Sequence, residues 1–394
     1  MSKLTRTISN RLFSPIREFI QDSRAVGITL MICTLISLGI SNTAWGISFV
    51  AFWEKELHFP IEALHLPHTV LHFINDGLMA LFFLLVGMEI KREVLEGELS
   101  GLKKAALPVV AALGGMLFPA LLYILCNKGT PNAHGWGVPM ATDIAFSLGI
   151  LSLLGKRAPL ALKILLTALA IIDDLGAVLA IALFYTDHID LFYLGMAGII
   201  FVVLLLMNVM KVKVLPLYFI LGIVLWYCLF NSGVHATLAG VLLAFSLPLK
   251  KIAALEHKLH DPVSFIVLPL FALANTAIVF PPDISQLLTS PVSYGVLAGL
   301  VIGKPLGIVL LSYIAVKMGI AGLPQGLCWR HILGMGILAG IGFTMSIFIA
   351  MLAFNDAGTQ ITAKLAVILA SLVSGIGGFL FLKINSAGKG KPGS

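Results

Sequence analysis

Long apolar stretches separated by short polar connections set the pattern of this chain from about residue 25 onward. An α-helix needs about 20 apolar residues to cross the hydrocarbon of a bilayer, and the stretches recur at close to this length. Short connections are typical of an up-and-down helix bundle. The pattern predicts twelve transmembrane helices, at about 25–41, 70–90, 105–126, 135–155, 160–186, 192–210, 214–230, 233–249, 263–280, 293–316, 332–354 and 361–383.

The composition supports the same interpretation. Hydrophobic residues make up 59% of the 394 residues and charged residues only 11%. The mean hydropathy is +1.01, which is too apolar for a soluble domain. No hydrophilic stretch is long enough to fold separately. The chain is therefore predicted to be an all-α polytopic membrane protein in contact with lipid, with a cytoplasmic segment 1–24, a single transmembrane domain 25–383 and a cytoplasmic tail 384–394.

The distribution of basic residues predicts the orientation. Twenty-two of the 26 Lys and Arg fall on one side of the predicted helices. Lys55 and Lys128 fall on the other side, and Lys304 and Lys364 lie within helices. Cytoplasmic loops of membrane proteins are enriched in Lys and Arg, so both termini are predicted to be cytoplasmic. The same rule accounts for the net charge of +7 without a nucleic-acid partner.

The longest connection on the side opposite the termini is 42–69. Polar and apolar residues alternate in it, and it contains Trp45 and Trp53. Such alternation is typical of an exposed strand pair, so the segment is predicted to form a hairpin-like loop. An isolated hairpin is marginal in water and gains by pairing its edge with a second copy, which predicts a homodimer. The alternative is that the loop lies flat on its own bundle, with its tryptophans at the membrane interface.

Two adjacent aspartates, Asp173 and Asp174, lie in the middle of the apolar run 160–185. A charge at the bilayer centre costs roughly 3 kcal/mol on insertion scales, so ionisable residues there usually mark a path for ions or protons. Two adjacent carboxylates repel each other when both are ionised, and the pair is predicted to bind a cation or hold protons. Asp143 and Lys304 also lie within predicted spans. A structural salt bridge is the alternative, but it accounts for only one carboxylate.

Two predicted spans are interrupted by helix-breaking residues. In the fourth, Gly137 and Pro139 precede Thr142 and Asp143, and in the eleventh four glycines precede Thr344. Close packing through small residues is one explanation. Interruptions in corresponding positions instead indicate the inverted repeats of a secondary transporter, formed here by spans 3–5 and 10–12. Spans 4 and 11 are predicted to cross as discontinuous helices, whose partial end charges Asp143 and the lysine of the tenth span would offset.

Six segments, in this order and spacing, resemble the NhaA family of bacterial sodium/proton antiporters over nearly the whole chain. They are NDGLMALFFLLVGMEIKRE (75–93), ATDIAFSLGIL (141–151), ALAIIDDLGAV (168–178), SGVHATLAG (232–240), GKPLGI (303–308) and GIGFTMSIFIA (340–350). The resemblance implies an electrogenic, pH-regulated antiporter of the bacterial inner membrane. Such a protein is not an enzyme. It expels sodium or lithium from the cytoplasm in exchange for protons, without a cofactor or an organic substrate.

The resemblance also implies that the loop 42–69 is periplasmic and forms a dimer contact. It further implies roles for individual residues. The ion-binding and proton-exchange positions of the family fall on Asp173, Asp174, Lys304, Asp143, Thr142 and Asp76. The pH-response positions fall on Glu89, Glu93, Glu256, His257, His260 and His235. The chain departs from better-known members in its longer basic N-terminus and in Lys258, between two of these histidines.

The histidines also have plainer interpretations. His257 and His260 lie in a basic loop, where solvated side chains would titrate in the same range without sensing anything. His235 lies near a span start beside Ser232 and Thr237, and a hydrogen-bonded packing role suits it better than proton transport.

Helix geometry divides the two central aspartates. Adjacent helical residues point about 100° apart, so Asp173 and Asp174 face different surroundings. We assign Asp174 as the main sodium ligand and Asp173 as the partner of Lys304. Sodium is a hard cation that prefers oxygen ligands. Burial disfavours the charged forms of carboxylate and ammonium alike, so both groups can exchange protons. Competition between sodium and protons for one site is then sufficient for antiport.

Two other functions compete with this prediction. An intramembrane aspartyl protease needs aspartates on separate helices and a GxGD-type motif, which the sequence lacks. A sodium-coupled solute symporter needs a pocket for an organic substrate, whereas the predicted mid-membrane polar residues are carboxylates, a lysine and a threonine. Proton flux driven by sodium alone distinguishes the antiporter from the symporter.

Overall fold

The computed structural model describes residues 24–57, 66–186, 189–280, 285 and 289–385, and every named element in them is helical. The predicted terminal segments 1–24 and 384–394 therefore lie almost entirely outside the described residues. The α-helices are α1 (Ala25–Ser41), α2 (Gly46–Trp53), α3 (Val70–Leu95), α4 (Leu102–Cys126), α5 (Ile144–Leu153), α6 (Leu160–Phe184), α7 (Leu191–Val209), α8 (Leu215–Ser232), α9 (Leu238–Ser246), α10 (Leu249–Pro262), α11 (Leu268–Asn275), α12 (Pro291–Lys317), α13 (Trp329–Ala339), α14 (Phe343–Ala353) and α15 (Ala357–Asn385).

The helix lengths support a protein that crosses the membrane many times. Within the described residues, seven helices are long and apolar enough to do so, and two bent helix pairs raise the number of spans to nine. The predicted spans at 25–41, 233–249 and 263–280 contain the shorter helices α1, α9 and α11. The all-helical, multi-span architecture is thus as predicted, whereas helix length and composition alone do not give a count of twelve.

The two bent pairs are the interrupted spans. A 3-10 helix, Pro131–Met140, meets α5 at 43°, and α13 meets α14 at 47°. Pro139 has no N–H to donate, and Gly340 and Gly342 lie in the second break. In neither pair do the helical hydrogen bonds continue across the break. The fourth predicted span differs from expectation in its first half, which is a tighter 3-10 helix.

The tenth predicted span packs tightly on the third. Glycines at four-residue spacing, Gly299, Gly303 and Gly307, predict a close helix contact. In the structure the neighbour is α4, and a Cβ added to Gly307 would collide with the Gly114 carbonyl. α12 also contains a π-helical segment, Ala298–Gly303, which ends directly before Lys304.

The segment 42–69 differs from the predicted hairpin. Gly46–Trp53 is the helix α2, where the alternating pattern predicted a strand. A short alternating run with aromatic residues fits either periodicity, and burial of Trp53 favours the helix. The described part of the segment contains a single antiparallel bridge, between Glu56 and Thr69, and residues 58–65 lie outside the described residues.

Helix α6 lies at the centre of the structure. It packs against α3, α4, α5 and α13, so the middle of α6 is surrounded by protein. By contrast, α7 exposes a broad apolar face, which suits contact with lipid. The central position of α6 places Asp173 and Asp174 far from lipid, where only protein groups, water or ions can satisfy them.

Candidate functional site

One carboxylate joins the two helix breaks. Asp143 is the N-cap of α5, and its Oδ1 accepts the backbone N–H of Phe146 at 2.9 Å. Its Oδ2 accepts the backbone N–H and the hydroxyl of Thr344, at 3.0 and 2.6 Å, so the same side chain caps α14. The Asp143 N–H donates to the Ile341 carbonyl at 2.7 Å. A carboxylate stabilises the partial positive charge of helix N-termini, so Asp143 offsets both half-helix ends.

Lys304 and Asp173 form a buried ion pair. Both side chains are fully buried, and Lys304 Nζ lies 3.1 Å from Asp173 Oδ2. The same oxygen accepts the Thr142 hydroxyl at 2.6 Å. Lys304 Nζ also donates to the carbonyl of Met140, the last residue of the 3-10 helix, where the half-helix is partially negative. The structure therefore brings together the lysine, the aspartate and the threonine that the sequence singled out.

Asp174 faces a different environment from Asp173. It is only 1% exposed and lines a cavity of about 360 Å³. The cavity also touches Asp143 and Thr344 at the two breaks and Glu89 on α3. At its other end lies His260, an exposed residue of α10. The cavity thus connects the buried carboxylates to one surface of the protein.

Two carboxylate oxygens at this site are available to a cation. Oδ1 of Asp173 and Oδ1 of Asp174 are buried, and neither has a hydrogen-bond partner in the described part of the chain. A buried acceptor without a donor is unfavourable unless something else binds it, and either a proton or a cation would do so. Two carboxylates with the Thr142 hydroxyl form an all-oxygen set, which suits a hard cation such as sodium rather than a soft metal.

A charged cluster joins α3 to α10 beside the cavity. Arg92 Nε lies 2.8 Å from Glu256 Oε2, and Arg92 Nη1 lies 3.5 Å from Glu93 Oε1. Glu89, one turn earlier on α3, interacts electrostatically with all three. α10 lies between predicted spans, and burial raises the pKa of the Glu256 carboxyl above its usual range. The Arg92 charge and hydrogen bond oppose this shift, and the charge of Glu93 adds to it.

The predicted histidines are spread over the molecule. His260 lines the cavity, and its Nδ1 lies 3.4 Å from Asp261 Oδ1. His257 is exposed on α10. His235 lies at the opposite end of α9, where its Nε2 is 2.7 Å from the Tyr185 carbonyl. The structure therefore separates His235 from the charged cluster with which the sequence analysis grouped it.

Asp76 also lies apart from the central pair. It belongs to the π-helical segment Phe73–Leu78 of α3, and its Oδ2 is 2.8 Å from His72 Nε2. Thirteen residues of helix separate Asp76 from Glu89, a distance of about 20 Å along the axis. The cavity that Asp174 lines does not reach Asp76. The structure therefore does not bring this predicted site residue to the other carboxylates.

Three contributing residues were missed by the sequence analysis. Thr344 was noted only as the residue after a glycine-rich break, yet it donates twice to Asp143. Arg92 and Lys91 were counted only as loop charges. Arg92 holds Glu256, and the buried Lys91 donates to the carbonyls of Phe245 and Leu247 at the end of α9, at 2.7 and 2.5 Å. Their position at the end of a span next to several glutamates was the available signal.

Comparison with known proteins gives a consistent result. Residues 17–382 match the family model described as Na+/H+ antiporter 1. A relative from Flavobacterium johnsoniae, called Na(+)/H(+) antiporter NhaA 2, is 51% identical over 386 residues, covering 96% of this chain and 94% of the relative. The Na(+)/H(+) antiporter NhaA of Cytophaga hutchinsonii is 49% identical, covering 93% of this chain and 95% of its own.

Solved structures give a more distant match. The sodium proton antiporter MjNhaP1 from Methanocaldococcus jannaschii superposes with a TM-score of 0.50 at 16% sequence identity, over the full length of both chains. At this identity the likeness concerns the fold alone.

Proposed function

The chain belongs to the Na+/H+ antiporter 1 family and exchanges sodium for protons, and from this premise we propose how its residues carry out the exchange. Asp174 is the main ligand for sodium or lithium, and Asp173, held by Lys304 and Thr142, supplies a second oxygen. The observation that carries this proposal is the pair of buried carboxylate oxygens without hydrogen-bond partners among the described residues, one on each aspartate, with Asp174 lining a cavity open to one surface.

The exchange follows from competition at these oxygens. Sodium entering the site displaces the protons that otherwise neutralise the buried groups, and protons displace sodium in turn. Since Lys304 and both aspartates can take part, more than one proton leaves for each sodium ion bound. The cycle is then electrogenic, and an inside-negative membrane potential drives sodium out of the cytoplasm.

We propose that the protein lies in the inner membrane of a bacterial cell and that the cavity opens to the cytoplasm. The basic residues Arg92, Lys250 and Lys258 lie on the same side as the mouth of the cavity, and the positive-inside rule assigns that side to the cytoplasm, with both termini. Impermeant thiol labelling checks this. A cysteine at Lys211 should react only from the cytoplasm and one at Lys128 only from outside; the reverse result would overturn the orientation.

We further propose twelve spans arranged as inverted repeats, with the third to fifth spans related to the tenth to twelfth. Helices α1, α9 and α11 supply the three spans beyond the nine that length and composition give. Short helices are tolerated in a bilayer where surrounding protein satisfies their ends, as Lys91 does for α9. Contact of the two breaks at Asp143 and Ile341 supports crossing of the two discontinuous helices.

Sodium-jump measurements test the function directly. Purified protein in proteoliposomes loaded with a pH indicator should release protons when sodium alone is added outside. Because more positive charge leaves than enters, the rate should rise when an inside-positive potential is imposed. Proton release unaffected by the membrane potential would contradict electrogenic exchange. Proton movement that required an added organic solute would favour a sodium-coupled symporter instead.

Regulation by pH is proposed to involve the cluster of Glu89, Glu93 and Glu256 at the cytoplasmic mouth, with His260 beside it. Glu256 bridges to Arg92 and so ties α10 to α3, the two elements that flank the cavity. Because burial raises the pKa of Glu256, this carboxyl gains its charge only as the pH rises, and this ionisation is the step that starts transport in our proposal.

We expect Arg92→Gln to shift the onset of transport to higher pH. The guanidinium opposes the raised pKa of Glu256, so its removal lets the carboxyl stay protonated to a higher pH. An ion pair with a partly exposed partner is worth roughly 0.2–1 kcal/mol, which corresponds to a shift of about half a pH unit. Sodium-driven proton release measured at several pH values gives the onset.

The control for this variant is Lys104→Gln. It removes a basic residue on the same side of the protein, whose Nζ lies 3.9 Å from Glu98. The control should keep the wild-type onset. A shift of Arg92→Gln to lower pH would contradict a role for the Glu256 charge.

A homodimer whose contact includes the segment 42–69 is also proposed. Exposed apolar side chains on α2 and at its N-cap support this proposal. Trp45, Ile47 and Phe52 are 75%, 83% and 53% exposed. Aromatic side chains of this kind are enriched in protein interfaces. The alternative is that they lie in the interfacial layer of the membrane.

Deletion of residues 46–58 is expected to give monomers that still transport, because the ion site lies elsewhere. Light scattering of the detergent-solubilised protein measures the mass of the complex. Since the deletion also removes the buried Trp53, Ile47→Ser with Phe52→Ser provides a milder variant. Ile199→Ser with Val202→Ser, on the exposed face of α7, is the matched control. Dimers that persist in both test variants would exclude this segment as the main contact.

A further inference from the structure

A layer of buried phenylalanines lies next to the cavity beside Asp174. The cavity is lined by Phe82 on α3, Leu268 on α11 and Thr344 on α14. Directly beside these positions, or within about one helical turn further from the cytoplasm, each helix contributes a buried phenylalanine to the layer: Phe83 on α3, Phe271 on α11 and Phe348 on α14.

The Phe348 ring contacts the other two rings. The ring centroids of Phe83 and Phe348 are 5.4 Å apart, and those of Phe271 and Phe348 are 6.3 Å apart. Each of these side chains is at most 2% exposed. A dry aromatic layer offers an ion no ligand, so it closes the path beyond Asp174 in this conformation.

A buried amide pair lies on the far side of this layer. Asn275 is one turn beyond Phe271 on α11, and Asn75 lies two turns beyond Phe83 on α3. Asn275 Nδ2 donates to Asn75 Oδ1 at 2.8 Å, and Asn75 Nδ2 contacts Met351 Sδ on α14 at 3.5 Å. The same three helices thus surround the amides and the phenylalanines.

The amide pair is incompletely satisfied. Asn275 is 1% exposed and Asn75 7% exposed, and Asn275 Oδ1 has no hydrogen-bond partner among the described residues. Thioether sulfur is a weak acceptor, so the Asn75 amide nitrogen is also poorly paired. A buried amide oxygen without a donor costs free energy unless a ligand uses it.

Further polar groups lie on the same side of the phenylalanine layer as the amides. Asn75 is followed in the chain by Asp76, whose carboxylate contacts the partly exposed His72. Asn75 and Asp76 lie in a π-helical segment, a local irregularity that occurs frequently at functional sites. This end of α3 therefore carries both the amide of the buried pair and a carboxylate near the far surface.

We propose that Asn75 and Asn275 form a neutral coordination site for the partly dehydrated cation on the periplasmic half of the path, beyond the phenylalanine layer and beside Asp76. This inference rests on the ion site and the orientation proposed above. Amide oxygens suit a hard monovalent cation. Because they carry no charge, they release it without having to exchange a proton, which leaves proton coupling to the aspartates.

The test measures sodium affinity at each face separately. Inside-out membrane vesicles expose the cytoplasmic face to added sodium, and right-side-out vesicles expose the periplasmic face. Asn275→Leu removes the amide and keeps most of the volume. We expect it to raise the half-saturating sodium concentration at the periplasmic face about tenfold or more, and to leave the value at the cytoplasmic face within about twofold of wild type.

Two further variants keep the experiment decisive. Asn75→Leu should show the same one-sided change, and it replaces Asn275→Leu if that protein does not fold. Asn127→Leu is the matched control, because Asn127 is a buried asparagine at the end of α4 with an equally unpaired Oδ1, away from the amide pair. It should alter neither face.

Equal changes at both faces, or none, in both test variants would overturn the amide site. Asp174→Asn, measured in parallel, separates this outcome from failure of the ion site itself. If Asp174→Asn transports normally, the proposed ion site is wrong. If it is inactive while Asn275→Leu matches wild type at both faces, only the amide site is wrong.

Discussion

Asp174→Asn is expected to abolish sodium-driven proton release while leaving a folded protein. The asparagine keeps the shape of the side chain and one oxygen, but it has neither the negative charge that binds sodium nor a proton to exchange. An interaction with a charged group worth about 3 kcal/mol corresponds to roughly a 100-fold change in affinity. Loss of the exchangeable proton removes the coupling as well, so no residual antiport should remain.

Two measurements on the same preparation separate function from folding. Proton release from proteoliposomes after a sodium jump reports transport. The melting temperature in detergent reports folding, and in the wild type it should rise with sodium concentration because only the folded state binds the ion. Asp174→Asn should melt at or above the wild-type temperature in the absence of sodium, since it removes an unpaired buried carboxylate, and it should show no increase with sodium.

Asp190→Asn is the matched control for this prediction. It makes the same chemical change at an exposed N-cap of α7, where asparagine caps equally well. Its transport and its response to sodium should equal those of the wild type. Near-normal proton release by Asp174→Asn would remove Asp174 from the ion site.

The chemistry of the centre was predictable because it depends on single residues in a lipid environment. Placing carboxylates and a lysine within the bilayer costs enough free energy to indicate a function. This cost identified Asp173, Asp174 and Lys304 as candidates. The 100° offset between neighbours on a helix predicted that the two aspartates would differ, and in the structure one pairs with Lys304 while the other faces the cavity. Glycine and proline predicted both helix breaks.

The partners across helices were not predictable, because tertiary packing decides them. A glycine-rich stretch before Thr344 indicates a break, but nothing local states that its hydroxyl will meet Asp143 from another span. In the same way, the distances along α3 and α9 place Asp76 and His235 away from residues with which motif matching grouped them. Motifs report which residues a family uses, and helix length then decides which of them can touch.

Local pattern also failed where it was short. The alternation in 42–69 extends over too few residues to distinguish a strand from the amphipathic turn of a helix, and α2 is the result at 46–53. The number of membrane spans is difficult to predict for the same reason. α9 has 9 residues, so it does not span a bilayer by itself, although the apolar run that contains it is long enough to. α11 has 8 residues and gains length only through the π-helical segment Val263–Val267, which joins it to the polar helix α10.

Lys304→Ala is expected to destabilise the protein and to change the pH dependence of transport. Lys304 is fully buried, and its ammonium bridges Asp173 to the end of the 3-10 helix at Met140. Removal of one partner of a buried ion pair costs roughly 3–5 kcal/mol, because the other charge remains without compensation. The pH dependence should change because the lysine is one of the groups that exchange protons with sodium. Thermal unfolding and proton release at several pH values measure the two effects.

A set of matched variants assigns the loss to the ion pair. Lys304→Met preserves the volume without the charge, so its difference from Lys304→Ala reports the packing term alone. Adding Asp173→Asn to Lys304→Met removes the stranded carboxylate. The double variant should therefore be more stable than the sum of the two single losses predicts, by more than the few tenths of a kcal/mol expected for independent sites. Strictly additive losses and an unchanged pH profile would show that Lys304 and Asp173 do not act as a pair. Asp173 would then be free to bind sodium as Asp174 does, and the division of roles between the two aspartates would fail.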